Sequence, residues 1–176
     1  MRARAAAFTD GEAWRLTVLA HDRAGLLADT AAVLASSGMS VVSAGAGTWS
    51  NLNVALHTLT VRGPLPSLTD WKQFGSRLRT IEFAERPSVS FTPSGDVTVD
   101  VSSEDAERWL LHVRAPDQIG LLWSICCGLA ESGVGIQAAA IGGADGMADD
   151  LFVLDDEPDV DALRDRLCRP RIRTTS

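Results

Sequence analysis

Asp22-Arg23-Ala24-Gly25-Leu26-Leu27 is the stretch that decides the fold, since it returns further along the chain as Asp117-Gln118-Ile119-Gly120-Leu121-Leu122. The windows 12–61 and 107–156 align without a gap, and 17 of their 50 positions are identical. Such a repeat indicates an internal duplication, which sets the size of the structural module. We therefore expect the 176 residues to form two modules of roughly 80 residues that share an interface, because a unit of that size is marginal alone.

Both copies of the stretch have the pattern of a strand, a tight turn and a helix. Residues 14–20 alternate between apolar and polar side chains, as expected for a strand with one buried face. Over 26–34, apolar residues recur at spacings of three and four, which indicates a helix with one apolar face. Gly25 permits the turn, because it can adopt backbone angles that other residues avoid. We expect Asp22, and Asp117 in the second copy, to cap the first amides of the helix.

The other elements are predicted from alternation, helical spacing and breaker residues. In the first copy they are strands over 39–47 and 53–61, a helix over 66–85 and a short strand over 89–91. In the second copy they are strands over 109–115, 134–141 and 151–154, and helices over 121–132 and 158–169, with the tail 171–176 left unassigned. We also expect residues 1–11 to be a disordered lead. An additional strand over 97–101 is expected to pair with the strand 89–91 as a hairpin.

Two strand–helix–strand halves in one module form an antiparallel sheet with both helices on the same face. We therefore predict an α+β protein with two ferredoxin-like βαββαβ modules, whose antiparallel sheets are covered by helices on one face. The first domain is expected at 12–92 and the second at 96–176, with the core of the repeat at 107–168. The turn at 93–96 contains proline and glycine and separates them.

Two predicted strands are unusually rich in small residues, namely Ser43-Ala44-Gly45 and Ala138-Ala139-Ala140. One interpretation is tight packing under a helix. The other is that the sister module or another chain packs edge to edge at these strands. The sequence favours neither interpretation. Open sheet edges also lead us to expect a homodimer, formed through those edges or through the module interfaces.

Composition and charge argue against several classes of partner. A net charge of −7 and a pI near 4.9 disfavour nucleic acid and anionic membrane surfaces. No apolar run approaches the roughly 20 residues of a membrane span, and residues 1–8 lack the apolar core of a signal peptide. Cys126, Cys127 and Cys168 have no spacing typical of a metal site or a disulfide framework. We expect a cytoplasmic protein without metal or cofactor, and Lys72, the only lysine among 16 basic residues, suggests a GC-rich bacterial source.

The order Asp-Arg-x-Gly-Leu-Leu, helix, Ser-Gly and small-residue strand resembles the ACT domain family, and the resemblance covers residues 12–168. In the usual family form a proline precedes the glycine, whereas Ala24 and Ile119 stand there in this chain. The stretch 98–122 is similar to the head of the second copy in the C-terminal ACT pair of bacterial uridylyltransferase/uridylyl-removing enzymes of nitrogen control. The sequence contains neither a nucleotidyltransferase glycine–serine signature nor a His-Asp metal pair, so the resemblance implies a regulatory piece and no enzyme.

The resemblance also implies a ligand at each glycine turn, because ACT domains typically bind amino acids or similar small metabolites, often between two domains packed side by side. The candidate ligand-binding residues are Asp22, Arg23, Ala24, Gly25, Leu26, Leu27, Asp117, Gln118, Ile119, Gly120, Leu121 and Leu122. Carried over by position, the ligand carboxylate lies on the Gly-Leu-Leu amides of each copy, and Asp22 and Asp117 face its ammonium group. A helix N-terminus attracts a carboxylate on physical grounds as well, since its first amides are unpaired.

We predict from these patterns a non-catalytic, allosteric module that senses an amino acid. The alternatives are a structural dimerisation or docking module and a regulatory fragment of a nitrogen-control uridylyltransferase. A small acyl phosphate hydrolase on the same scaffold is disfavoured, because neither turn has the Arg and Asn that such an activity places around its anion loop. No catalytic or metal-binding residue is predicted.

Overall fold

The computed structural model describes residues 2–7, 13–63, 76, 91–92, 95–105 and 108–168. The strands in these residues are β1 (Arg2–Ala7), β2 (Ala13–His21), β3 (Ser40–Trp49), β4 (Val54–Arg62), β5 (Thr98–Asp105), β6 (Arg108–Pro116), β7 (Ile136–Ile141), β8 (Gly143–Ala144) and β9 (Met147–Leu154). The helices are α1 (Leu26–Ser36), α2 (Leu121–Glu131) and α3 (Val160–Cys168), with a short 3-10 helix at Ser50–Leu52. Ser76 is also helical. Three predicted segments lie outside the described residues: the rest of the helix 66–85, the strand 89–91 except for Phe91, and the tail 171–176.

The strands form one continuous sheet in the order β1-β2-β4-β3-β7-β9-β6-β5, with β8 attached to β9. All of these neighbours pair antiparallel. The first four strands belong to one half of the molecule and the last four to the other. Both halves have the same strand order when read from the outer edge of the sheet towards its centre, as the duplication predicts. The predicted α+β class with an antiparallel, ferredoxin-like arrangement is thus confirmed.

Alternation along the strands decides which face of the sheet is buried. Leu16 and Val18 of β2 are buried, whereas Arg15 and Leu19, which flank this pair, are exposed. The inward positions of β4 are Ala55, His57, Leu59 and Val61. The inward positions of β9 are Ala148, Asp150, Phe152 and Leu154. Two of these inward residues are therefore ionisable.

The helices cover the buried face of this sheet. α1 and α2 lie against each other, and α3 packs on α2. Leu27, Ala28, Ala31 and Ala32 of α1 belong to the same core cluster as α2 and the strands of the second half. The first half keeps a smaller cluster around Leu16 and Leu59. The two halves therefore share a core, as expected from their small size.

One prediction about the outer strands is wrong. Residues 2–7 are not part of a disordered lead but form β1, which pairs with β2. The strand predicted at 97–101 is present as β5 and pairs with the strand that follows it, β6. Its predicted pairing with 89–91 lies outside the described residues. In each half, the segment next in sequence closes onto a strand edge that would otherwise expose unpaired backbone groups. The alternation of arginine and alanine over 2–5 was the available signal for β1.

The strands rich in small residues meet at the centre of the sheet. β3 and β7 pair with the register Ala44↔Ile141, Gly45↔Ala140, Ala46↔Ala139 and Gly47↔Ala138. The edge-to-edge interpretation, with the sister module as partner, is therefore confirmed. A Cβ atom added to Gly45 or Gly47 would meet nothing within 4 Å, so packing under a helix does not explain these two glycines.

Candidate functional site

Two cavities lie at the junction of the halves, and each is bounded by the glycine turn of one half and by the helix of the other. The larger cavity, of about 160 Å³, lies between the turn 117–122, the segment 142–150 and α1. The smaller cavity, of about 40 Å³, lies between the turn 22–27, the end of β3 and α2. Both therefore sit where a helix N-terminus meets the β3–β7 junction.

The walls of the two cavities correspond in the repeat. Ala31 and Ala35 of α1 close the larger cavity. Their repeat equivalents in α2, Cys126 and Ala130, close the smaller one. Each site is therefore composite, with a turn from one half and a wall from the other. All of the predicted site residues except Ala24 line one of the cavities.

The turn glycines have the left-handed backbone conformation that the sequence predicts. Gly25 has φ 73° and Gly120 has φ 95°, and each is the N-cap of the helix that follows. No side chain donates or accepts a capping hydrogen bond at either helix start, so the prediction that Asp22 and Asp117 cap the helices is wrong. The glycine itself occupies the N-cap position, and each aspartate precedes that position by three residues.

The first amides of each helix are only partly occupied. The Leu26 amide donates to the Arg23 carbonyl at 3.2 Å, and the Leu121 amide donates to the Gln118 carbonyl at 3.2 Å. One amide of each predicted Gly-Leu-Leu cradle is thus used within its own turn. The next amides of the first turn, which in the second half are those of Leu122 and Trp123, have no intrahelical partner and remain available to an anion.

Asp150 is a buried carboxyl group on the wall of the larger cavity. It lies in the inward register of β9, and only 1 % of its surface is exposed. Its Oδ1 accepts a hydrogen bond from the Gly142 amide at 3.3 Å. Its Oδ2 has no hydrogen-bond or ion-pair partner among the described residues. The larger cavity therefore has a half-satisfied carboxyl group in its wall.

The surroundings of Asp150 disfavour its charge. Burial raises the pKa of Asp150 to about 7. Asp117 and Asp149 act in the same direction through repulsion, whereas the hydrogen bond from Gly142 and the ring of His112 oppose it. The carboxyl group therefore changes its charge near neutral pH.

The smaller cavity has a histidine on its wall instead. His57 is buried in the inward register of β4, and its Nδ1 lies 3.4 Å from Thr30 Oγ1. Since the Thr30 hydroxyl donates to the Leu26 carbonyl at 2.9 Å, Nδ1 is the donor to Thr30. Burial lowers the pKa of His57 to about 4, so the ring is neutral at neutral pH.

The duplication makes the difference between the two cavities explicit. His57 pairs with Val18, and Asp150 pairs with Val113, the repeat equivalent of Val18, so His57 and Asp150 occupy the same position in the two halves of the sheet. The two sites thus have the same backbone and different ionisable groups.

The turn of the first half is further tied to its own helix by an ion pair. Arg23 Nη1 lies 2.5 Å from Asp29 Oδ2, and Asp29 is fully buried. The repeat equivalents, Gln118 and Ser124, are uncharged, so the second half has no corresponding pair. Arg23 therefore has a structural role in the smaller cavity.

Sequence reasoning missed Asp150 and His57. Both lie at inward positions of strands, in 148–154 and 55–61, whose other inward residues are apolar. A lone ionisable residue in the inward register of an alternating strand was the available signal, because such residues are rarely buried without a reason.

No group of three His, Cys, Asp or Glu side chains able to hold a metal ion occurs in the part of the chain that the structure describes. Among the same residues, no helix combines the length and the apolar character needed to cross a membrane.

Comparison with solved structures defines the class of fold. The structure resembles the crystal structure of aspartate kinase from Synechocystis with a TM-score of 0.50, over 83 % of this chain and 25 % of that one. The two sequences are 13 % identical, so the likeness shows the fold alone. That fold is the ferredoxin-like, ACT-type arrangement expected from the sequence.

Comparison of sequences leads to particular relatives. In an alignment of 162 positions that covers 82 % of this chain, the chain is 30 % identical to the bifunctional uridylyltransferase/uridylyl-removing enzymes of Burkholderia thailandensis and Burkholderia vietnamiensis. It spans 18 % of the length of these enzymes. The chain is a distant homologue of one part of them, and the expected resemblance to a tandem ACT pair is confirmed. No family model matches the chain.

Proposed function

We propose that the chain is a non-catalytic, cytoplasmic regulatory module that senses an amino acid or a similar small metabolite at the junction of its halves. The observation that carries this proposal is the pair of composite cavities, each with a glycine turn and a helix N-terminus in its wall. The relation to a small part of much longer enzymes supports a regulatory role. The division into domains 12–92 and 96–176 is part of the same proposal.

In this proposal the carboxylate of the ligand accepts hydrogen bonds from the free amides of the first helical turn. Residues 22–27 and 117–122 supply the two turns, and Gly25 and Gly120 let the ligand approach the backbone. A ligand in either cavity touches both halves. Binding therefore couples to the way in which the halves pack, which is what a regulatory module requires.

A thermal-shift screen of the purified chain tests the proposal. The twenty amino acids and a panel of nucleotides are each added at millimolar concentration, and the unfolding midpoint is measured. A ligand that binds only the folded state at about 100 times its Kd stabilises it by about 2.7 kcal/mol, which is a readily detected shift. Midpoints that stay flat for every amino acid would contradict the sensing function.

A second candidate function, a dimerisation or docking module, is favoured by the open face of the sheet. Leu19 of β2 and Leu151 of β9 point away from the helices and are 42 % and 37 % exposed. Apolar residues on an uncovered sheet face are typical of a surface that meets a partner. Light scattering over a wide concentration range tests the homodimer, and a monomer throughout would remove it.

A further inference from the structure

We propose that the larger cavity is the single amino-acid site of the chain and that the Asp150 carboxylate holds the ammonium group of the ligand. This inference rests on the proposed sensing function and narrows it to one site, one anchoring residue and one class of ligand.

The anchor follows from the state of Asp150 in the structure. Asp150 lines the cavity, and only 1 % of its surface is exposed. One oxygen accepts a hydrogen bond of 3.3 Å from Gly142, and the other has no described partner. A buried carboxylate without a counter-ion is strongly disfavoured, so a cation that enters the cavity gains both a hydrogen bond and an ion pair there.

The opposite end of the cavity suits an anion. The turn 117–122 opens into α2, and the free amides of Leu122 and Trp123 lie at the positive end of that helix. A single cavity thus offers amide donors for a carboxylate and a carboxylate for an ammonium group. The ligand class that carries both groups on one carbon atom is the α-amino acid.

The smaller cavity lacks these features. At the position equivalent to Asp150, its wall has His57, which is neutral and bonded to Thr30. Arg23 is engaged by Asp29. Its volume of about 40 Å³ is close to the share of one water molecule, about 30 Å³. We therefore assign no amino acid to it.

The volume of the larger cavity suits a small ligand. A cavity of about 150 Å³ accommodates benzene, which has six heavy atoms. The larger cavity, with about 160 Å³, accordingly fits a small amino acid of about six to eight heavy atoms, such as alanine, serine, cysteine or threonine.

Binding should be coupled to the release of a proton. The pKa of Asp150 is about 7 in the free protein, with Asp117, Asp149 and His112 as the charged or titratable groups around it. An ammonium group bound to Asp150 favours the carboxylate, so the ligand displaces the proton below pH 7. The affinity is then about tenfold weaker at pH 6 than at pH 8, because each pH unit below the pKa corresponds to a factor of ten.

The test is isothermal titration calorimetry of the full chain with glycine, alanine, serine, cysteine and threonine. Glycolate, lactate and glycerate, which replace the amino group of three of these by a hydroxyl group, serve as matched probes. The variant is Asp150→Asn, and the control is Asp149→Asn, which removes the neighbouring exposed carboxylate on the other face of β9. We expect one molecule of at least one amino acid per chain, binding at least tenfold weaker in D150N and little changed in D149N. We also expect the hydroxy acid to bind at least tenfold more weakly than its amino acid.

Two bound molecules per chain, equal binding of the hydroxy acid, or unchanged affinity in D150N would overturn the inference. Any of these results leaves amino-acid sensing intact. Failure of every amino acid to shift the unfolding midpoint would instead contradict the sensing function itself, so the two failures are distinguishable.

Discussion

Replacement of Asp150 by asparagine is expected to stabilise the protein in a way that depends on pH. Asparagine has nearly the same shape, and its side-chain oxygen can still accept from Gly142, but it never becomes charged. In the wild type, burial holds the pKa of Asp150 at about 7, against 3.8 for an ordinary aspartate side chain. The folded state therefore binds more protons than the unfolded state between these two pH values. By linkage, this group stabilises the fold fully below pH 3.8 and loses that contribution as the pH rises to 7.

The magnitude follows from the size of the pKa shift. One proton bound in the folded state and not in the unfolded state corresponds to a slope of about 1.4 kcal/mol per pH unit. As the pH rises from 3.8, the ordinary pKa of aspartate, to about 7, its pKa in the fold, the loss amounts to about 4 kcal/mol. The free energy of unfolding of D150N should thus equal that of the wild type near pH 4. It should exceed the wild-type value by increasing amounts up to pH 7 and by a constant amount above it.

Urea unfolding at pH values from 4 to 8.5, followed by the fluorescence of the five tryptophans, measures this difference. Asp149→Asn is the matched control, because its carboxylate is 54 % exposed and pairs with His112 on the surface. An exposed ion pair contributes about 0–1 kcal/mol. The difference in the free energy of unfolding between D149N and the wild type should therefore show no comparable rise with pH. A difference between D150N and the wild type that stays flat from pH 4 to pH 8 would refute the reasoning.

The remaining predictions concern the other cavity, the turn and the junction. His57→Phe replaces the buried imidazole by an aromatic ring that cannot become charged. Because burial lowers the pKa of His57 from 6.5 to about 4, the wild type loses about 3 kcal/mol as the pH falls from 6.5 to 4, and urea unfolding of H57F should lack this loss. Gly120→Ala forces a side chain into the left-handed region at a cost of about 1–2 kcal/mol. Gly133 has φ 80° with nothing within 4 Å of an added Cβ, so Gly133→Ala should lower the stability in thermal unfolding by a similar amount. Only G120A should abolish the ligand-induced shift of the unfolding midpoint. Gly45→Ala should be neutral or stabilising by about 0.5–1 kcal/mol, and a clear loss of stability would show a close contact that the structure does not contain.

The repeat made the architecture predictable from the sequence. Because the turn 22–27 returns as 117–122, the number of halves, their shared interface and the conformation of both turn glycines followed from local rules. β1 was not predicted, because a short segment of arginine and alanine becomes a strand only when a neighbouring strand edge is there to pair with it. Strand formation of this kind depends on tertiary context more than on propensity.

The composite nature of the cavities was beyond sequence reasoning for a related reason. The turns were identified as sites, but which wall closes each of them depends on the pairing of β3 with β7. The same holds for Asp150, whose inward direction is readable from alternation along β9 but whose unpaired oxygen is a property of the assembled cavity. Local patterns predict where a side chain points, and only the packed structure shows what it meets.

The divergence of the two sites has a physical explanation in the composite arrangement. In the proposed single-site arrangement, a ligand in the larger cavity touches the turn of the second half and α1 of the first, so it stabilises the contact between the halves by its own binding free energy. One such ligand is enough to bias the β3–β7 junction, because that junction is shared by both sites. The smaller cavity is then free to become a closed structural element, and the buried His57 and the Arg23–Asp29 pair fix its turn without a ligand. A duplicated module can in this way use one of its two equivalent cavities to bind a small molecule and the other to stabilise the fold.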